Sequence, residues 1–144
     1  MYDYKNVKRW SKQVHKKDIF SLSKIFFPVN QGNQHWTLLV AFMKEKRIQF
    51  YDSMGGSGKE YLNAIYRYLQ DEHLDKKKCE LPGDWELRTC DGSTPRQLNG
   101  YDCGVFTCMF ADFLSTGSPF VFGQDHVTHC RERIALAILN GKAL

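Results

Sequence analysis

Gln97-Leu98-Asn99-Gly100-Tyr101-Asp102-Cys103-Gly104-Val105-Phe106 decides how the rest of the chain is read. A polar loop gives way to an apolar run, and a cysteine stands at the change. Val105, Phe106, Met109, Phe110 and Phe113 recur at helical spacing. They predict a helix from about residue 102 to 114, with Asp102 as its N-cap and Gly117 as its stop. Cys103 then lies in the first turn, where N–H groups lack helical partners and the dipole favours a negative charge such as a thiolate. Gly104 leaves room for another backbone to approach. Its setting alone leaves Cys103 two readings, a nucleophile or a small core residue. Cys79, Cys90, Cys108 and Cys130 are read as core thiols, with Cys108 on or near the apolar helix face.

A thiolate nucleophile needs a base, and the base needs something to orient it. His15 sits in a polar stretch and His73 late in a helix, and both read as solvated surface groups. His126 and His129 fall on the last predicted helix. His35 differs, because it opens the apolar run His35–Met43 directly after the turn cluster Gln31-Gly32-Asn33-Gln34. Asp52 closes the next strand, Ile48–Asp52, beyond the polar turn Lys44–Arg47. A hairpin of these two strands brings His35 and Asp52 to the same end. The register decides whether they meet. A turn centred between Glu45 and Lys46 pairs Asp52 with Leu39, roughly 13 Å from His35 by strand rise. A centre between Met43 and Lys44 sets the two directly opposite, and a bulge can shift either arrangement.

The remaining segments fill in a mixed architecture. Lys24–Val29 reads as a short buried strand, 59–74 as a helix, Trp85–Cys90 as a strand and about 124–139 as a final helix. Strands and helices mix without regular βαβ alternation, so the class is α+β. At 144 residues, 42% hydrophobic and 25% charged, the composition is that of one globular domain. The net charge of +4 is modest. The lysine run Asp75-Lys76-Lys77-Lys78 carries no interleaved aromatics, which argues for a solvated helix end and against nucleic-acid binding. Five cysteines without paired spacing do not read as a disulfide framework. The first residues lack a signal-peptide core, and no run reaches the roughly 18 apolar residues of a membrane span. An intracellular, reducing compartment is therefore expected.

Taken together, Gln97–Gly104, His35-Trp36 and Tyr51-Asp52-Ser53-Met54-Gly55 resemble the SUMO-specific cysteine proteases, the ubiquitin-like-protein proteases. Val7–Lys12 and Arg131–Ile134 resemble that family too, so the likeness covers nearly the whole chain. The resemblance implies a papain-like cysteine protease fold, a mixed sheet flanked by helices, with the nucleophile at a helix N-terminus. It implies Cys103 as nucleophile, His35 as general base and acid, Asp52 as the orienting carboxylate and Gln97 as oxyanion donor. Trp36, Asn99 and Gly100 would face the substrate, and Trp36 would cover its Gly-Gly tail. The implied partner is SUMO or another ubiquitin-like protein and its conjugates. The implied enzyme is a monomer, nuclear or cytoplasmic, with no metal or cofactor. Family catalytic domains usually carry a further N-terminal segment, and residues 1–144 are expected to form a single catalytic domain without it. Three rival readings stand beside this one. The first is a zinc module built on His126, His129, Cys130, Cys103 and Cys108, whose spacing fits no standard pattern. The second is a truncated relative that binds a ubiquitin-like protein without cleaving it. The third is a protease of another modifier or of viral type.

Overall fold

The structure is a computed structural model, described here for residues 1–143. Four strands, β1 (Lys24–Gln31), β2 (His35–Phe42), β3 (Arg47–Tyr51) and β4 (Glu86–Arg88), form one sheet in the order β1-β2-β3-β4. Four α-helices accompany it: α1 (Tyr4–Val7), α2 (Lys59–Lys77), α3 (Cys103–Thr116) and α4 (Val127–Asn140). The mixed sheet and its helices bear out the α+β class. The chain divides into two compact units. One comprises residues 1–27, 39–50 and 58–89, and the other 28–38, 51–57 and 90 onward.

In the first unit, β3 and β4 pair in parallel, with Arg47 opposite Glu86 and Gln49 opposite Arg88. Parallel neighbours need a long crossover, and α2 lies within that connection. The core gathers Leu39 to Phe42, Ile48, Phe50, Leu62, Tyr68 and Leu69, all buried. Trp10 meets Tyr68 edge-on at 5.2 Å between ring centroids. Tyr4 Oη donates to Glu72 at 2.6 Å, fastening α1 to α2.

In the second unit, α3 buries Val105, Phe106, Met109 and Phe110. Phe120 and Phe122 close over that stripe, with centroid distances of 5.3 Å for Phe110–Phe120 and for Phe113–Phe122. Tyr51 joins the cluster through Phe120, 5.8 Å away. Helix α4 packs on α3 and buries Val127 and Cys130. Gly117, at φ 70°, ends α3 in the left-handed conformation that glycine adopts without strain.

Several expectations need correction. β1 runs on to Gln31 and is largely half-buried, as suits a strand at a sheet edge. β4 keeps only three of the six residues predicted. The final helix begins with a 3₁₀ turn at Gln124–His126. His73 is buried, not solvated: its Nδ1 bonds Cys79 O at 2.8 Å and its ring stands edge-on to Phe20. The lysine run is partly engaged, with Lys76 on Glu72 at 2.8 Å and Lys77 on Asp18 at 2.7 Å. Cys79 and Cys108 are exposed, because neither falls on a buried helical stripe, and Cys90 is intermediate.

Candidate active site

Counting outward along the hairpin locates His35 and Asp52. The loop between β2 and β3 occupies residues 43–46, so its centre falls between Lys44 and Glu45. That lies between the two registers weighed from sequence. An unbulged hairpin with that centre pairs Asp52 with Thr37 and makes His35 its diagonal neighbour, within reach of long side chains. His35 Nε2 lies 2.7 Å from Asp52 Oδ1. A carboxylate only accepts, so the neutral imidazole carries its proton on Nε2 and leaves Nδ1 with a lone pair for a base's work.

Asp52 is itself held. It is 3% exposed, and its Oδ1 also accepts from Met54 N at 2.7 Å. Its Oδ2 accepts from Gly56 N at 2.9 Å. The turn Asp52–Gly56 therefore folds around its own carboxylate. A Cβ on Gly56 would stand 2.5 Å from Oδ2, so the turn admits no side chain there. Cys90 Sγ donates to Gly56 O at 3.1 Å from outside the turn, and burial pushes its thiol above the ordinary cysteine range.

Cys103 is the first residue of α3 and is 7% exposed. The first hydrogen bond of the helix runs from Phe106 N to Asp102 O at 3.1 Å. The N–H groups of Cys103, Gly104 and Val105 thus stay outside the helical ladder, as at any helix start. A Cβ on Gly104 would lie 3.9 Å from Trp36 Cδ1, so the Trp36 indole lies beside the first turn of α3. Trp36 itself is 43% exposed. Among the described residues the imidazole's hydrogen bond goes to Asp52 and none joins it to Cys103.

Asp102 sits at the N-cap position, but its side chain makes no cap. It turns instead to stronger partners. Arg131 Nη2 donates to Oδ1 at 2.5 Å, while Asn99 Nδ2 and Gln124 Nε2 donate to Oδ2 at 2.6 and 2.9 Å. The Arg131 guanidinium, with Asn99 next, holds this carboxyl below the usual carboxylate range. Asn99 Oδ1 accepts from the backbone N–H groups of Tyr101 and Asp102 at 3.1 Å each, so its side chain is spent inside the turn. Gly100 is exposed, with open space where a Cβ would stand. Gln97 is buried; its Nε2 donates to Asn99 O and its Oε1 accepts from Ser53 Oγ, both at 2.5 Å. Ser53, Gln124 and Arg131 received no individual role from sequence reasoning, although Ser53 and Arg131 stand inside quoted motifs. Among the described residues no group of three or more His, Cys, Asp or Glu is placed to hold a metal.

Trp36, Met54, Leu98 and Tyr101 are large apolar residues left exposed, each next in sequence to a residue of this network. The arrangement therefore combines a helix-terminal thiol, a carboxylate-oriented imidazole, a fixed carboxamide and an apolar rim. In chemical terms these are the parts for acyl transfer through a thioester.

Comparison with known proteins gives the lineage. The model of the Ulp1 protease family, C-terminal catalytic domain, matches residues 2–141. A sentrin-specific protease of Caenorhabditis elegans is 38% identical over 98% of this chain, which spans 20% of that relative. Human sentrin-specific protease 2 is 34% identical over 98% of this chain, which spans 24% of it. The chain thus spans about a quarter or less of these relatives' own length. Among solved structures, the C-terminal Ulp1 protease domain in complex with Smt3, the yeast orthologue of SUMO, aligns over 95% of this chain and 61% of its own at 35% identity and a TM-score of 0.79. By these matches the chain belongs to the Ulp1 protease family, as part of its C-terminal catalytic domain.

Proposed function

We propose that this protein is a cysteine protease that cleaves after the C-terminal glycine of SUMO or a close ubiquitin-like relative, with Cys103, His35 and Asp52 as its triad. The observation that carries the reading is the 2.7 Å His35–Asp52 pair in the same compact unit as a cysteine that starts a helix. Family membership and the likeness to a SUMO-bound relative support the substrate class.

In this mechanism the Cys103 thiolate attacks the carbonyl carbon of the terminal glycine. The negative charge passes to the carbonyl oxygen, which the Gln97 carboxamide and the Cys103 backbone N–H stabilise. His35, charged after taking the thiol proton, gives that proton to the leaving amine as the C–N bond breaks. A water then loses a proton to His35 and attacks the thioester, and Cys103 leaves as thiolate, releasing the modifier's free carboxylate. Precursor peptides and isopeptide conjugates share the acyl half of the reaction, so both fit. The exposed ring of Trp36, with Asn99 and Gly100 on the loop before the nucleophile, would border the Gly-Gly tail. All five cysteines are free, which supports a reducing intracellular setting, nuclear or cytoplasmic. Hydrolysis of SUMO carrying a fluorogenic amide at its C-terminal glycine tests the reading. Turnover is expected from the native protein and none from Cys103→Ser; turnover that survives the substitution would reassign the nucleophile.

A further inference from the structure

Resting on that proposed reaction, we infer that Ser53 is the positioning residue of the oxyanion site: its hydroxyl and backbone carbonyl together set the direction in which Gln97 presents its amide hydrogens. The chemistry of the contacts fixes which end of the carboxamide is which. Asn99 O can only accept, so the Gln97 atom 2.5 Å from it is the NH₂ nitrogen. The other end is then the carbonyl oxygen, and the Ser53 hydroxyl, 2.5 Å away, must be its donor. The same serine's backbone O accepts from Gln97 N at 3.0 Å. Ser53 therefore grips Gln97 at both main chain and side chain, and it is 1% exposed.

This leaves Nε2 with one hydrogen committed to Asn99 and a second with no partner among the described residues. A buried donor held this way is pre-aimed, and pre-aimed donors stabilise developing charge without reorganising. Without the hydroxyl, the carboxamide oxygen loses its partner and the plane can rotate, carrying the second hydrogen off line. Ser53 also follows Asp52 directly, so one dipeptide holds both the carboxylate of the base and the donor of the oxyanion site.

A double-mutant cycle on SUMO C-terminal amide hydrolysis separates this role from a merely structural one. Ser53→Ala is expected to lower kcat roughly ten- to a hundredfold with KM nearly unchanged. Introduced into Gln97→Ala it is expected to cost little more, because the group it aims is already gone. The same fold-loss in both backgrounds would overturn the inference. So would an unchanged kcat in Ser53→Ala when Gln97→Ala is impaired. Should alanine at 53 prevent folding, Ser53→Cys fills the site with a slightly larger side chain and a much weaker donor, and carries the same comparison. A native protein with no turnover, by contrast, refutes the proposed protease activity itself, and this role with it.

Discussion

Asp52 is the residue on which most of the site's order converges. Its two oxygens hold two backbone N–H groups and one imidazole, so removing them frees a turn as well as a ring. Asp52→Ala is expected to lower kcat by about 10²–10⁴, the range for a general base that loses its orientation. Steady-state kinetics on the fluorogenic SUMO amide, compared with Cys103→Ser, read it; near-native turnover would sink the assignment. Asp102 makes a prediction about stability. Its folded carboxyl titrates below its unfolded value, so its contribution is fully present above about pH 4, the ordinary carboxylate range. It fades as pH falls through the lower folded value. Urea unfolding of native protein and Asp102→Asn should differ by about 1–3 kcal/mol at pH 7 and converge well below pH 4. A gap that persists unchanged in acid would contradict the Arg131 account. At this scale the sequence was legible where a motif named a residue and less so where burial decided. The settings of Cys103, His35 and Asp52 made them candidates, and their roles came from the motifs' resemblance to a family. The burial of His73 depends on Phe20 and Cys79 O, which no local pattern reveals. Asp102 looked like a cap, because the guanidinium that claims it lies 29 residues along the chain.

Elements set the positions of these residues, and glycine conformations at their ends offer a direct check. Gly117 ends α3 at φ 70° with open space around a would-be Cβ, so Gly117→Ala incurs only left-handed strain, about 1 kcal/mol. Gly58 precedes α2 at φ 61°, and its Cβ would stand 2.2 Å from the Phe50 ring. Gly58→Ala adds a clash to the same strain and should cost about two to four times as much, about 2–4 kcal/mol. Urea midpoints of the two variants test the order, and equal losses would mean that Phe50 yields freely. Element types followed from periodicity, since the stripe of α3 and the apolar run of β2 leave little choice. Lengths and register did not. The tie between His35 and Asp52 depends on a four-residue loop whose centre falls one position from each turn weighed in the sequence, and strand alternation alone accepts any of them. β4 shrank to three residues because its pairing reaches only Arg47–Gln49 of β3.

At the scale of the whole chain, the proposed triad and Gln97 fall in one compact unit assembled from three separate stretches, 28–38, 51–57 and 90 onward. No local window contains that unit. The motifs nevertheless pointed to its residues, because their combination in the order His35, Asp52, Gln97, Cys103 resembles one family specifically, although each piece alone is weak. Family membership over residues 2–141 agrees with that order. The proposed modifier-facing surface was less legible: the resemblance implied Trp36, but Met54, Leu98 and Tyr101 join it as a candidate apolar rim only when their exposure is known. Adduct formation tests the central claim most directly. The protein is incubated with SUMO, and separately with ubiquitin, each carrying a thiol-reactive group at its C-terminus, and intact mass is recorded. The account predicts one SUMO adduct, absent in Cys103→Ser, and little or none with ubiquitin. A folded protein that forms no SUMO adduct, or forms one that survives Cys103→Ser, would contradict it.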